Sequence, residues 1–136
     1  MARSIFRELA HEPEFHFLHK KKKILISISL VKNSEIQQLN KTYRRIKKPT
    51  NVLSFAEYKD QKAIASSPST IDLGDMVIAP AVVKTDAEKF KNSFYQQFFW
   101  TTLHGILHTL GYDHERGARG KKQMEALENR ILARRT

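Results

Sequence analysis

The sequence predicts a mixed fold of short strands and helices assembled round one buried helix, and three features predict it. Ile24, Ile26, Ile28 and Leu30 alternate with Leu25, Ser27, Ser29 and Val31. A period of two rich in β-branched residues belongs to a strand. Ile36, Leu39, Asn40 and Tyr43 recur instead at the spacing of a helix face. Between Phe94 and Leu110, the side chains of Phe98, Phe99, Trp100, Leu103, Ile106, Leu107 and Leu110 cover most of a helix circumference. A helix apolar nearly all round is one that other elements surround.

Taken in order, Ile5, Phe6 and Leu9 give residues 1–19 one short, weakly amphipathic helix, followed by a segment containing Pro13. The run Lys20 to Lys23 leads into a strand over 23–31; such a run is either a solvated strand entry or a face for a polyanion. Ser34 and Gln37 read as a capping box opening a helix over 34–45, which Pro49 stops. Arg44, Arg45, Lys47 and Lys48 crowd its end, either as complements to the helix dipole or as contacts for nucleic acid. Thr50 to Phe55 reads as a second strand. The polar stretch from Glu57 to Ile71, with Ser66-Ser67-Pro68-Ser69-Thr70 at its tip, reads as the longest loop and a candidate flap. A third strand covers 72–79, where Gly74 marks a bulge or a close backbone approach. Pro80 suits the first turn of a helix over 80–91, with Val82, Val83, Ala87 and Phe90 turned inward. Phe94 to Leu110 is the longest helical segment. After a polar connection from Glu115, the residues Met124, Leu127 and Ile131 mark a last amphipathic helix to about 134.

One domain fits 136 residues, and a 40% hydrophobic content with eight Phe excludes a disordered chain. Twenty-four Lys and Arg against fourteen Asp and Glu leave +10 at pH 7. That excess points to a polyanionic partner, RNA or DNA ahead of a membrane surface. The absence of cysteine rules out a disulfide framework and fits a reducing, cytoplasmic setting. Neither a signal-peptide run nor a stretch of about 18 apolar residues is found, so no membrane span is expected.

The chemistry concentrates in His104-Gly-Ile-Leu-His108-Thr-Leu-Gly111-Tyr-Asp-His114. Residues four apart lie on one helix face, so His104 and His108 can aim at one point. A helix running on would carry His114 roughly 15 Å up the axis. Gly111 falls where that helix must stop, and glycine takes the left-handed conformation that folds the chain back. Three imidazoles with no cysteine to close the set leave a fourth position open, as in a catalytic zinc site. Zinc peptidases with this spacing carry a Glu after the first histidine as general base. Gly105 stands there instead, which argues against proteolysis and for a close approach of backbone or substrate. His11, His16 and His19 lie in a polar segment and read as surface residues.

Three stretches, Leu39-Asn-x-x-Tyr43-Arg44 with Pro49-Thr-Asn-Val-Leu-Ser-Phe55, Leu73-Gly-Asp-Met-Val-Ile78 and His104 to His114, together resemble the YbeY-type endoribonucleases. Met124-Glu-Ala-Leu-Glu128 adds a fourth, weaker match. The resemblance spans residues 24–132 and implies an α+β fold, with a small mixed, mainly parallel sheet covered by helices and a metal in a basic cleft. It implies one zinc ion on His104, His108 and His114, a functional arginine at Arg44, and single-stranded RNA as substrate. It further implies an rRNA precursor and the small ribosomal subunit as partners, in rRNA maturation and ribosome quality control. The chain departs from the family pattern at Lys47, at Ala56 and in the basic stretch after Glu115; the first and last make the rim more positive. The nucleophile is then a metal-activated water or a metal-assisted 2′-OH. The rival reading is a non-catalytic, zinc-stabilised RNA or ribosome adaptor, which the basic composition favours equally.

Overall fold

All three expected strands join one sheet in the computed structural model, which describes residues 1–112 and 118–135. They are β1 (Lys23–Leu30), β2 (Val52–Ala56) and β3 (Thr70–Ile78), in the order β1-β3-β2. β1 pairs with β3 in parallel and β2 with β3 antiparallel, so the sheet is mixed. Helices α1 (Ala2–Ala10), α2 (Asn33–Arg44), α3 (Gln61–Ala65), α4 (Pro80–Phe90), α5 (Phe94–Thr109) and α6 (Ala118–Arg135) surround it, with a 3-10 helix at Pro13–Lys20. The class is α+β.

The core forms round α5, whose Leu103, Ile106 and Leu107 are fully buried. Ile71, Leu73, Met76 and Ile78 of β3 meet it from the sheet, Ile5 and Leu9 from α1, and Met124, Leu127 and Ile131 from α6. Four β3 residues reach one core although their numbering changes parity after Leu73. The cause is a bulge: Leu25 stands opposite Asp72 but Ser27 opposite Asp75, so two steps of β1 match three of β3. Gly74 sits in that bulge at φ +120°, where an added Cβ would collide with the Phe55 carbonyl oxygen. Both readings of this glycine, bulge and close approach, hold. A smaller cluster of Ile36, Leu53 and Ala79 lies apart from the main core.

Several local expectations are corrected. The capping box at Ser34 does not form: α2 starts one residue earlier, at Asn33, with Lys32 in the cap position and no side-chain cap. The box is found at Ser93, whose hydroxyl accepts from Gln96 N while the Gln96 side chain accepts from Ser93 N, opening α5. The stretch from Glu57 to Ile71 is no structureless loop, because Asp60 caps α3 by accepting from Ala63 N at 2.9 Å. α6, with 18 residues, is longer than α5, with 16. Phe90 does not turn inward; it is 58% exposed. Ile24 and Ile26 pack on the core, but Ile28 and Leu30 further along β1 are exposed. β1 is an edge strand, and Ile28 and Leu30 lie outside the core cluster.

Candidate metal centre and its cleft

The end of α5 builds the candidate centre. Gly111 donates to the His108 carbonyl at 3.2 Å and Tyr112 to the Leu107 carbonyl at 3.1 Å. This pair of bonds closes a helix through a left-handed residue, here Gly111 at φ +99°. The turn brings the Tyr112 carbonyl back over α5, where it lies 2.7 Å from Nδ1 of His108. A carbonyl only accepts, so that nitrogen carries the hydrogen. One turn earlier, Nδ1 of His104 lies 2.9 Å from the carboxylate of Glu128 on α6, a buried side chain. With both Nδ1 atoms held as donors, the two Nε2 atoms face each other at 3.2 Å.

Neutral imidazoles in these tautomers bring lone pair against lone pair, an arrangement a cation relieves. Two nitrogens at zinc-ligand distances of about 2.0–2.1 Å, a tetrahedral angle apart, would be separated by about 3.3 Å. The observed spacing fits. His114, with Asp113 and Glu115, lies outside the described residues. Among the described residues no three His, Asp or Glu side chains form a metal-binding group, so the pair is the described part of the centre. The ring of Trp100 stacks on that of His104, centroids 5.1 Å apart at 26°. His11, His16 and His19 are exposed, as expected of surface residues.

The pair opens into a cleft of about 460 Å³ that runs along β2 and is lined by Arg44, Asn51, Ser54, Lys59, His104 and His108 among others. Arg44 reaches it because α2 ends there. Arg45 takes the left-handed conformation at φ 59° and donates to the Lys41 carbonyl, while Ile46 donates to the Asn40 carbonyl. The buried Asn40 amide donates to the Lys48 carbonyl at 2.9 Å, tying the chain beyond Arg45 back to the helix. The Tyr43 ring sits edge-on against Phe55, centroids 5.0 Å apart. Arg45, Lys47 and Lys48 are exposed and do not line the cleft; Arg45 serves as the helix cap.

Gly105 brings α5 against the sheet. An added Cβ would collide with Met76 and come within 3.0 Å of Val52, and Ser54 donates to the Gly105 carbonyl at 2.9 Å. The close approach is to backbone and core. Behind the centre, Tyr112 donates to the Glu14 carboxylate. Burial, and then that carboxylate, pushes the phenol above its ordinary value of 10.0. Residue-level reading missed Glu128, Lys59 and the Tyr112 carbonyl. Glu128 had a signal, as the last residue of the weakest matching stretch; Lys59 and a backbone oxygen carry none.

An α+β domain whose buried helix turns a histidine pair into a cation-lined cleft defines a class of candidate metal-centred proteins. The family model described as Endoribonuclease YbeY matches residues 2–136, and the chain belongs to the YbeY family. A Francisella tularensis subsp. mediasiatica protein named Endoribonuclease YbeY is 41% identical over 111 residues, covering 79% of this chain and 65% of the relative. One of the same name from Roseiflexus castenholzii is 38% identical over 107 residues, with 79% and 67% covered. The chain thus spans about 65% of the length of the Francisella relatives it matches. The solution structure of TM1509 from Thermotoga maritima superposes with a TM-score of 0.58 at 25% identity, covering 96% of this chain and 77% of that one. No helix among the described residues is long and apolar enough to cross a membrane.

Proposed function

We propose that the chain is a zinc-dependent endoribonuclease that cuts single-stranded RNA in the cytoplasm. Its substrate is an rRNA precursor on the small ribosomal subunit, in rRNA maturation and ribosome quality control. Family membership and the name its relatives carry support the reaction. The observation that carries the metal is the pair of Nε2 atoms 3.2 Å apart, each ring fixed from behind by an acceptor. His104, His108 and His114 would hold one zinc ion. When bound, zinc supplies Lewis acidity and a water that ionises near neutral pH.

The chain's own residues do the rest. Glu128 and the Tyr112 carbonyl orient the two rings, as partners behind metal-binding histidines do. Arg44 offers two parallel N–H groups to a phosphodiester and stabilises the charge that builds on it during cleavage. The attacking oxygen is that of water or of the RNA 2′-OH.

Metal content, measured alongside cleavage of single-stranded and duplex RNA, tests the proposal. The intact protein is expected to cut single strands and spare duplex. His104→Ala and His114→Ala should lose both zinc and cleavage. Arg44→Ala should keep its zinc and lose about 10²–10³-fold in kcat, the usual effect of removing one charge-stabilising donor. Full cleavage by Arg44→Ala, or zinc-loaded protein that binds single strands and leaves them intact, overturns it. The second result would establish the non-catalytic adaptor.

A further inference from the structure

Lys59 belongs to the cleft and has no role in the reading above. α5 runs alongside β2 in the same sense: Gly105 meets Val52 and Ser54, while Gly111 lies against Asp60 and Gln61. His104 therefore stands over the middle of β2 and His108 towards its far end. Asn51 lines the cleft just before the strand begins, and Lys59 lines it beyond the finish. Between those ends, Val52 to Ala56 spans about 13 Å at the usual strand rise, more than one nucleotide step.

Two further features make this a track for a polyanion. Successive side chains of a strand point to opposite faces, yet the consecutive residues Val52, Leu53 and Ser54 all line the cleft. The cleft therefore follows the outer edge of β2, which has no pairing strand among the described residues. No acidic residue is among its described lining. Lys59 makes no salt bridge among the described residues, and the neighbouring Asp60 carboxylate is engaged in capping α3.

We propose that a single RNA strand lies along the free edge of β2 with one phosphate at the histidine pair, and that Lys59 binds the next phosphate on the His108 side. This rests on the endoribonuclease reading, and the experiment separates the two. Lys59→Ala and Lys59→Arg are compared with Lys89→Ala, which removes the same charge from the exposed face of α4. Substrates are a single-stranded oligoribonucleotide and a dinucleoside monophosphate, whose only phosphate is the scissile one. Lys59→Ala should raise KM for the oligomer on the order of tenfold, the effect of losing one hydrogen bond to a charged group. Its kcat should hold, Lys59→Arg should restore KM, and Lys89→Ala should match the intact protein.

The two substrates should also part company, because the dinucleoside monophosphate has no phosphate to lose at Lys59. In binding followed by fluorescence anisotropy, Lys59→Ala should flatten the log–log salt slope by about 0.7, one phosphate contact on a single strand. Lys59→Ala acting equally on both substrates, or no more than Lys89→Ala, overturns the inference while leaving the nuclease reading in place. Intact protein that cuts neither substrate overturns the nuclease reading, and the anisotropy slope still decides whether Lys59 contacts RNA.

Discussion

Gly105 occupies a helical position that propensity alone would give to alanine, at a gain of about 1 kcal/mol. Packing forbids it, since a methyl group there would overlap Met76 and crowd Val52 and Ser54. Overpacking a core costs about 1–3 kcal/mol, and only the Met76 side chain has a free end with which to yield. Gly105→Ala is therefore expected to lower stability by up to about 2 kcal/mol in a denaturant titration, the packing cost less the propensity gain. Glu128 makes a different demand. Its carboxylate holds Nδ1 of His104, and partners of this kind typically contribute 10–100-fold to metal affinity. Glu128→Gln should lose affinity by about that factor in competition with a chelating dye. An unchanged affinity would show that the carboxylate does not govern the ring. Neither effect could be read from residue type: Gly105 suggested only that something comes close, and Glu128 looked like any acid on an amphipathic helix.

Whole elements were easier to read than their ends. Strands and helices announced themselves by apolar period, and α2, α4, α5 and β1 lie within a residue or two of expectation. The ends depend on backbone geometry that residue type underdetermines. Ser34-x-x-Gln37 and Ser93-x-x-Gln96 are the same signature, yet only the second is a cap. The first fails because Lys32 already takes the extended conformation at the cap position, which leaves Ser34 inside the helix. A second device was invisible in sequence because its partners are far apart along the chain. Glu12, buried at the start of the 3-10 helix, meets Arg130 at 3.2 Å and Arg134 at 2.7 Å from α6. Removing both arginines would strand a buried carboxylate. Breaking such a pair costs about 3–5 kcal/mol, less where the cations are half-exposed as here. Arg130→Ala with Arg134→Ala should cost about 3 kcal/mol by chemical denaturation, and Glu12→Leu considerably less. The Tyr112 phenol, joined to the same cluster through Glu14, has its pKa raised above 10.0. Its stabilising contribution is whole below that pH and is lost as pH climbs above it. Tyr112→Phe should therefore lose less stability than the intact protein across the alkaline limb.

At the scale of the whole molecule, a net charge of +10 understates what a ligand meets. Among the described residues, seven acidic side chains are engaged internally: Glu8, Glu12 and Glu14 with α6 or Tyr112, Asp60 and Asp72 on backbone N–H groups, Asp86 on Asn51, and Glu128 on His104. Their counterparts among the cations, Arg130 and Arg134, are few. Apart from Lys21, which Ser67 and Pro68 hold, the other Lys and Arg side chains among the described residues are exposed and make no salt bridge there, and no acidic residue joins Arg44 and Lys59 in the described lining of the cleft. Composition made the sign of the protein's charge legible. It could not reveal where the positive potential gathers, because that depends on which carboxylates the fold consumes. Binding to single-stranded RNA should therefore be driven largely by release of counterions, and affinity should fall linearly with salt on logarithmic axes, by about 0.7 per phosphate contacted. Two contacts, at Arg44 and Lys59, set a slope of at least about −1.4. A fluorescently labelled strand titrated across a range of KCl concentrations measures it. If the slope is near zero while binding stays tight, apolar stacking drives association and the outward field is incidental. If it is steep for single strands and equally steep for duplex, the charge attracts nucleic acid without choosing between forms. The choice of single strands must then come from the shape of the cleft beside β2.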